Sequence, residues 1–146
     1  MRIYFDNCSL QRPLDDKAQP RILLEAKAIG EISLLCESGD VTLVSSDVLE
    51  IEVERTPQPQ RRKAIFKLLT FARDKIALSE EIAHRAEEFE TRGIKAFDAL
   101  HLALAEAGQI DYFCTCDDKF LKKARAQNDL KLRVVSPLEL AREIFK

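Results

Sequence analysis

The chain has 146 residues, 46% of them hydrophobic and 33% charged, a soluble globular composition at the size of one ordinary domain with a real core. No apolar run approaches the roughly 18–20 residues needed to span a bilayer. The opening MRIYFDNCSLQRP breaks its apolar run at Asp6, so no signal peptide is expected and cytoplasmic residence is the default. The formal net charge of −2 gives no general attraction for polyanions, so one that binds must use a local basic patch or a bridging cation.

In chain order, Met1 to Phe5 reads as a short buried strand ending at Asp6. Leu10–Asp16, with Pro13 and a double Asp, is a loop or a short helix. Ile22, Leu23, Ala26, Ile29, Leu34 and Leu35 recur at helical spacing over 21–37, with Ser38-Gly39-Asp40 as the stop. Val41–Val44 is a second buried strand. Ser45-Ser46-Asp47 offers N-caps for a helix reaching about Arg55, and Pro57 and Pro59 then punctuate the chain. Helices are predicted over 61–72, over 79–91 behind a loose capping box at Ser79, and over 95–107, closed by Gly108. Tyr112–Thr115 reads as a strand, Asp118–Ala126 as a helix and Leu132–Val135 as a strand. Pro137–Phe145 reads as a last helix with proline in its first turn. Strands alternating with helices imply a three-layer α/β domain with a mainly parallel sheet, residues 1–146 forming one unit.

Four carboxylates occupy unusual places. Asp6 follows Ile3-Tyr4-Phe5 and Asp117 follows Tyr112 to Cys116, and acids just past parallel strand ends converge where such sheets bind ligands. Asp98 lies in the otherwise apolar Ala96-Phe97-Asp98-Ala99-Leu100-His101-Leu102-Ala103, where burial is costly without a proton, a partner or a cation. In Val48-Leu49-Glu50-Ile51-Glu52-Val53, at about 100° per residue, Glu52 falls inside the apolar arc and Glu50 opposite it. Glu52 is therefore the better cleft candidate, with Glu50 kept as the alternative. Acids pressed together raise one another's pKa, which a divalent cation relieves. Oxygen-only ligands suit Mg²⁺ or Mn²⁺, and such ions activate water and neutralise charge developing on a phosphodiester.

These residues give the chain a resemblance to the PIN-domain family, which includes VapC-type toxins of toxin–antitoxin pairs. The resemblance covers essentially the whole chain. It rests on the opening strand ending in Asp6, on Asp98-Ala99-Leu100-His101-Leu102-Ala103, on Thr115, Asp117 and Phe120, and on Glu52 six residues after Ser46. It implies a PIN-like α/β/α fold and a metal-dependent ribonuclease acting on single-stranded RNA, with Asp6, Glu52, Asp98 and Asp117 as metal ligands and an antitoxin as partner. One departure is Cys8, where relatives often carry Asn, Ser or Thr.

Each feature also has a plainer reading. Asp6 serves equally as a turn cap and Glu52 as a surface residue. Asp118 takes the capping or peripheral role beside Asp117, and Thr115 is either a hydrogen-bond donor to a carboxylate or phosphate or a simple strand threonine. His101 reads as a packed core residue, and Cys8, Cys36, Cys114 and Cys116 as buried thiols. Arg61-Arg62-Lys63 reads as a solvated helix face, and Lys119-Lys122-Lys123-Arg125 as either such a face or an RNA contact. The apolar residues of 21–37 and 46–72, among them Ile22, Leu23, Leu34, Leu35, Ile65, Phe66, Leu68, Leu69 and Phe71, exceed what one sheet face needs and predict a homodimer. A non-catalytic RNA- or protein-binding module and a DNA-directed metal-dependent nuclease are the rival functions.

Overall fold

A computed structural model describes all residues, 1–146. Its five strands run β1 (Arg2–Phe5), β2 (Thr42–Ser46), β3 (Asp74–Ile76), β4 (Tyr112–Cys114) and β5 (Arg133–Val135). They form one wholly parallel sheet in the order β3-β2-β1-β4-β5. The central strand explains itself: Ile3, Tyr4 and Phe5 are all fully buried, as a strand covered on both faces demands. Tyr4 pairs with Phe113 and Phe5 with Cys114.

Eight helices connect and cover the sheet: α1 (Asn7–Gln11), α2 (Pro20–Ser38), α3 (Asp47–Glu54), α4 (Pro59–Leu69), α5 (Glu80–Thr91), α6 (Ala96–Ala107), α7 (Asp118–Arg125) and α8 (Pro137–Ile144). The chain moves from β1 outward through β2 to β3, then returns across the sheet to β4 and β5. Right-handed crossovers in opposite directions put their helices on opposite faces, and accordingly α2 packs with α8 while α5 packs with α6. The reversal falls between β1 and β4. That is the topological switch point at which a crevice opens beyond the strand ends.

Local chemistry sets the helix ends. Gly39 closes α2 in the left-handed region at φ 85°, which glycine adopts without a Cβ penalty. Ser46 and Ser79 cap α3 and α5 by accepting from Leu49 N and Ile82 N. The full capping box lies at Ser136 and Glu139 of α8, behind Pro137, and not at Ser79 as the sequence suggested. Phe89, Leu102, Leu104 and Phe113 lie fully buried in a continuous core, where truncating one such aromatic costs about 3–5 kcal/mol.

Three further expectations change. Residues 7–14 form α1 and a 3-10 turn over Arg12–Leu14, where a loop or a short helix was expected from Leu10. Strand β3 went unpredicted because two of its three residues, Asp74 and Lys75, are exposed charges, a composition suited to a short edge strand. The apolar excess expected over 46–72 is already consumed, since Ile65 and Leu69 are buried and Phe66 and Leu68 pack against the core. On α2, Leu23, Leu24 and Leu34 stay exposed, while Ile22 and Leu35 are half-buried. No helix is long and apolar enough to cross a membrane.

Candidate active site

A cleft of about 550 Å³ opens at the switch point, lined by Asp6, Glu52, Asp98 and Asp117 with His101, Arg55 and Arg61 among others. The four acids come from four places: the end of β1, the last turns of α3, the first turn of α6 and the residue before α7. Their surroundings differ sharply.

Asp6 is 5% exposed. Its Oδ1 accepts from Ser9 N at 3.0 Å, which caps α1, and from the Cys8 thiol at 3.1 Å. The cap and the cleft position therefore coexist, and Cys8 serves as a donor to the carboxylate. Cys116 beside it, burial and the charge of Asp6 all push the Cys8 thiol up, which keeps it a protonated donor. Burial raises the Asp6 carboxyl above its usual range, against the hydrogen bonds from Thr115, Cys8 and Ser9. Thr115, itself buried, accepts from Asp117 N at 3.0 Å and so shapes the turn after β4.

Glu52 lines the cleft with its Oε1 3.1 Å from His101 Nε2. Glu50 lies on another side of α3, 3.6 Å from Lys75, in a separate depression with Ser45 and Arg73. Beneath Glu52 a buried chain runs from His101 Nδ1 to the Tyr4 hydroxyl at 2.6 Å and on to Ser46 Oγ at 2.7 Å. Burial pushes the Tyr4 phenol well above its ordinary value.

Asp98 accepts no hydrogen bond from the protein. Its carboxyl is pushed up to about 6, first by burial and then by the charges of Asp6 and Asp117. The sequence suggests that Ile94–Phe97 is already near-helical, but α6 starts at Ala96, so Asp98 sits in its first turn, where an acid is favoured by the helix dipole. Asp117 is the N-cap of α7, its Oδ1 accepting from Lys119 N at 3.0 Å and Phe120 N at 3.2 Å. The cap therefore falls to Asp117, which also lines the cleft, while Asp118 keeps the peripheral place expected of it. Asp118 caps nothing; both its oxygens accept from Arg21 at 2.7 Å, away from the cleft.

The basic side of the cleft was missed. Arg61, grouped in the sequence with a solvated run, reaches Gln11 Oε1 at 3.0 Å, Asp15 Oδ1 at 2.9 Å and Leu14 O at 2.7 Å. Arg55, just past α3, is exposed and makes no side-chain hydrogen bond or ion pair. The other basic run turns elsewhere: Lys123 donates to Gly93 O and Arg125 to Val134 O and Glu139. Also unforeseen is Glu25, 2% exposed inside α2. It pairs with Arg12 Nε at 3.1 Å and Arg21 Nε at 3.5 Å, the former an ionic contact whose alignment falls short of a hydrogen bond. Its signal was its phase, since residue 25 falls in the stripe of Ile22, Ile29, Ile32 and Cys36.

The donor set is all oxygen, with one acid left uncompensated, and this fits a hard divalent cation. No three His, Cys, Asp or Glu side chains converge closely enough to grip one ion between them. The arrangement therefore suits a cation held through one or two carboxylates with waters completing its shell, as Mg²⁺ prefers.

Solved structures share this architecture. The crystal structure of VapBC2 from Rickettsia felis, bound to a DNA fragment from their promoter, superposes with a TM-score of 0.58 at 14% identity, covering 93% of this chain and 98% of that one. PAE2754 from Pyrobaculum aerophilum gives a TM-score of 0.55 at 14% identity, covering 99% of this chain and 90% of that one. Among curated proteins no sequence matches the chain. The family model described as PIN domain matches residues 10–126, which leaves Asp6 just outside the match but takes in Glu52, Asp98 and Asp117. By sequence over most of its length, and by a parallel sheet whose switch point gathers acids, the chain belongs to the PIN-domain family.

Proposed function

We propose that the protein is a metal-dependent endoribonuclease that hydrolyses phosphodiesters of single-stranded RNA. Asp6, Glu52, Asp98 and Asp117 would hold Mg²⁺ or Mn²⁺ among them, one or two by direct contact and the others through the waters that complete its shell. The observation that carries this reading is Asp98: an acid without a protein partner, raised to about 6 beside Asp6 and Asp117, inside an open cleft. A site meant only to bind RNA gains nothing from acids that repel both one another and phosphate. When bound, the cation supplies a polarised water and offsets charge on the phosphodiester.

The protein's own groups do the rest. Asp6 is fixed by Ser9 and Cys8, and Glu52 by His101, so both carboxylates meet the substrate already oriented. Asp117 keeps Oδ1 on the α7 amides and leaves Oδ2 free. Arg55, uncommitted on the cleft wall, supplies a contact for a phosphate of the strand beyond the acids. A flexible single strand can bend so that one phosphate reaches the acids and another Arg55, with sequence preference set by the surrounding loops.

The fold shared with a VapBC complex motivates the further proposal of a toxin role, with an antitoxin whose basic side chain, most simply an arginine, enters the cleft and competes with the cation. The exposed Leu23, Leu24 and Leu34 of α2 support a homodimer, and cytoplasmic residence follows from an RNA target. The direct test incubates single-stranded RNA and DNA with the protein in Mg²⁺ or Mn²⁺, with and without EDTA. Cutting of RNA that EDTA abolishes is expected. RNA bound but uncut would favour the binding module, and preferential cutting of DNA would favour the other nuclease.

A further inference from the structure

The buried groups beneath Glu52 form a chain with only one consistent direction. Ser46 Oγ accepts from Leu49 N at 3.0 Å and otherwise touches only the Tyr4 hydroxyl, at 2.7 Å. Ser46 is fully buried, so its proton must go to Tyr4 or go unpaired. Tyr4 then has its own proton to give, and its remaining neighbour is His101 Nδ1 at 2.6 Å. Nδ1 is thus an acceptor, which leaves the ring proton on Nε2, pointing at Glu52 Oε1 3.1 Å away. The reverse direction fails twice. It strands the Ser46 proton, and with a single ring proton it turns a bare Nε2 lone pair toward a carboxylate.

We propose that His101 is a positioning residue: fixed by Ser46 and Tyr4 as the tautomer protonated on Nε2, it clamps Oε1 of Glu52 and leaves a single oxygen of that carboxylate for the cation. This rests on the nuclease reading above and refines it. The chain begins at Ser46, the last residue of β2 and the N-cap of α3, and returns to Glu52 within α3, passing through β1 and α6. His101 also lies one turn after Asp98, so the contact sets Glu52 relative to Asp98 as well as orienting it. Glu52 Oε2 makes no hydrogen bond to the protein, consistent with an oxygen kept for the cleft. Metal-site carboxylates and histidines elsewhere depend on such outer partners, whose loss costs about 10–100-fold in metal affinity or activity.

The test has a spectroscopic and a binding arm, both on the full chain. Long-range proton–nitrogen correlation spectra of the metal-free protein should show His101 with a protonated Nε2 and an acceptor-like Nδ1, with exposed His84 as the internal reference. Tyr4→Phe should erase that preference and give a tautomer mixture. Titration with Mn²⁺ alone should show His101→Phe binding about 10–100-fold more weakly than wild type. His101→Gln, whose amide can still donate to Glu52, should recover part of that loss. Should His101→Phe fail to fold, Tyr4→Phe carries the test, with an expected loss of about 10-fold, the low end of that range. A wild-type His101 protonated on Nδ1, or unchanged Mn²⁺ affinity in Tyr4→Phe and His101→Phe, overturns the proposal. Failure of the nuclease reading looks different: wild type would then bind no Mn²⁺ and cut no RNA, and the cation half of this proposal would fall with it, whatever the tautomer.

Discussion

Two acid clusters in this molecule are built on opposite plans. Where α5 meets α6 and the turn after α7, Glu88, Glu106 and Asp129 are shared between two arginines: Arg85 lies 2.7 Å from Glu106, 2.8 Å from Glu88 and 3.1 Å from Asp129, and Arg92 lies 2.9 Å from Asp129. Arg92 and then Arg85 hold the Asp129 carboxyl far below its usual range. In the cleft no arginine or lysine pairs with Asp6, Glu52, Asp98 or Asp117, and Asp98 is pushed the other way, to about 6. The chain therefore has arginines to spend and withholds them from the cleft acids. Charge paired internally stabilises the fold, whereas charge left unpaired is free for a ligand.

The largest effect expected from breaking this contrast is kinetic. Asp98→Asn should lower RNA cleavage by about 10³-fold, roughly 4 kcal/mol of transition-state stabilisation, while leaving the metal-free fold as stable or more so. Glu52→Gln should fall in the same direction, and Glu50→Gln, facing Lys75, should stay near wild type; rates in the reverse order would reassign the glutamate. The paired cluster should respond in stability and not in rate. Arg85→Ala should leave cleavage untouched but lower stability in denaturant by about 2 kcal/mol, less than for a fully buried pair because the network is partly exposed. An unchanged midpoint would mean the network is ornamental.

The contrast also has a pH signature. Asp98 has a folded pKa above the ordinary aspartate value of 3.8, so the folded state holds its proton longer and metal-free stability falls as pH rises from about 4 to about 6. Discounted for partial exposure, the drop is about 1 kcal/mol. Asp6, also raised, acts with the same sign. Urea unfolding of wild type and Asp98→Asn across that window should show a shallower fall in the variant, and parallel curves would remove Asp98 as its source. The smallest effect is on Arg55. Arg55→Ala should weaken RNA binding at low salt and reduce the magnitude of the log–log salt slope by about 0.7, one phosphate contact on a single strand. An unaltered slope would take Arg55 off the strand's path.

Much of the site is legible in the sequence itself. Asp6 and Asp117 stand out because an apolar strand ends just before each, and Asp98 because its helix is otherwise apolar. Helical phase alone puts Glu52 and Glu50 on different sides of α3. What stays hidden depends on contacts between distant segments. Strand β3 carries no periodic signal, since Asp74 and Lys75 face solvent at an edge. That Asp118 is peripheral and caps nothing turns on Arg21, some 97 residues away. Arg55 and Arg61 join the cleft from either side of Pro57 and Gln58, which line it as well, and nothing local in the sequence marks that stretch as its wall. Glu25 does have a readable phase, yet a charge in an apolar stripe becomes intelligible only once Arg12 and Arg21 are seen beside it.

On the proposed function, the cleft acids are left unpaired in order to hold a divalent cation. Calorimetric titration of Mn²⁺ into wild type and Asp98→Asn at neutral pH tests it most directly. Saturable binding by wild type is expected, weakened at least about 10-fold in the variant, with loss of the wild-type heat when EDTA is present. Equal affinity in the two proteins, or no binding by wild type, would contradict it.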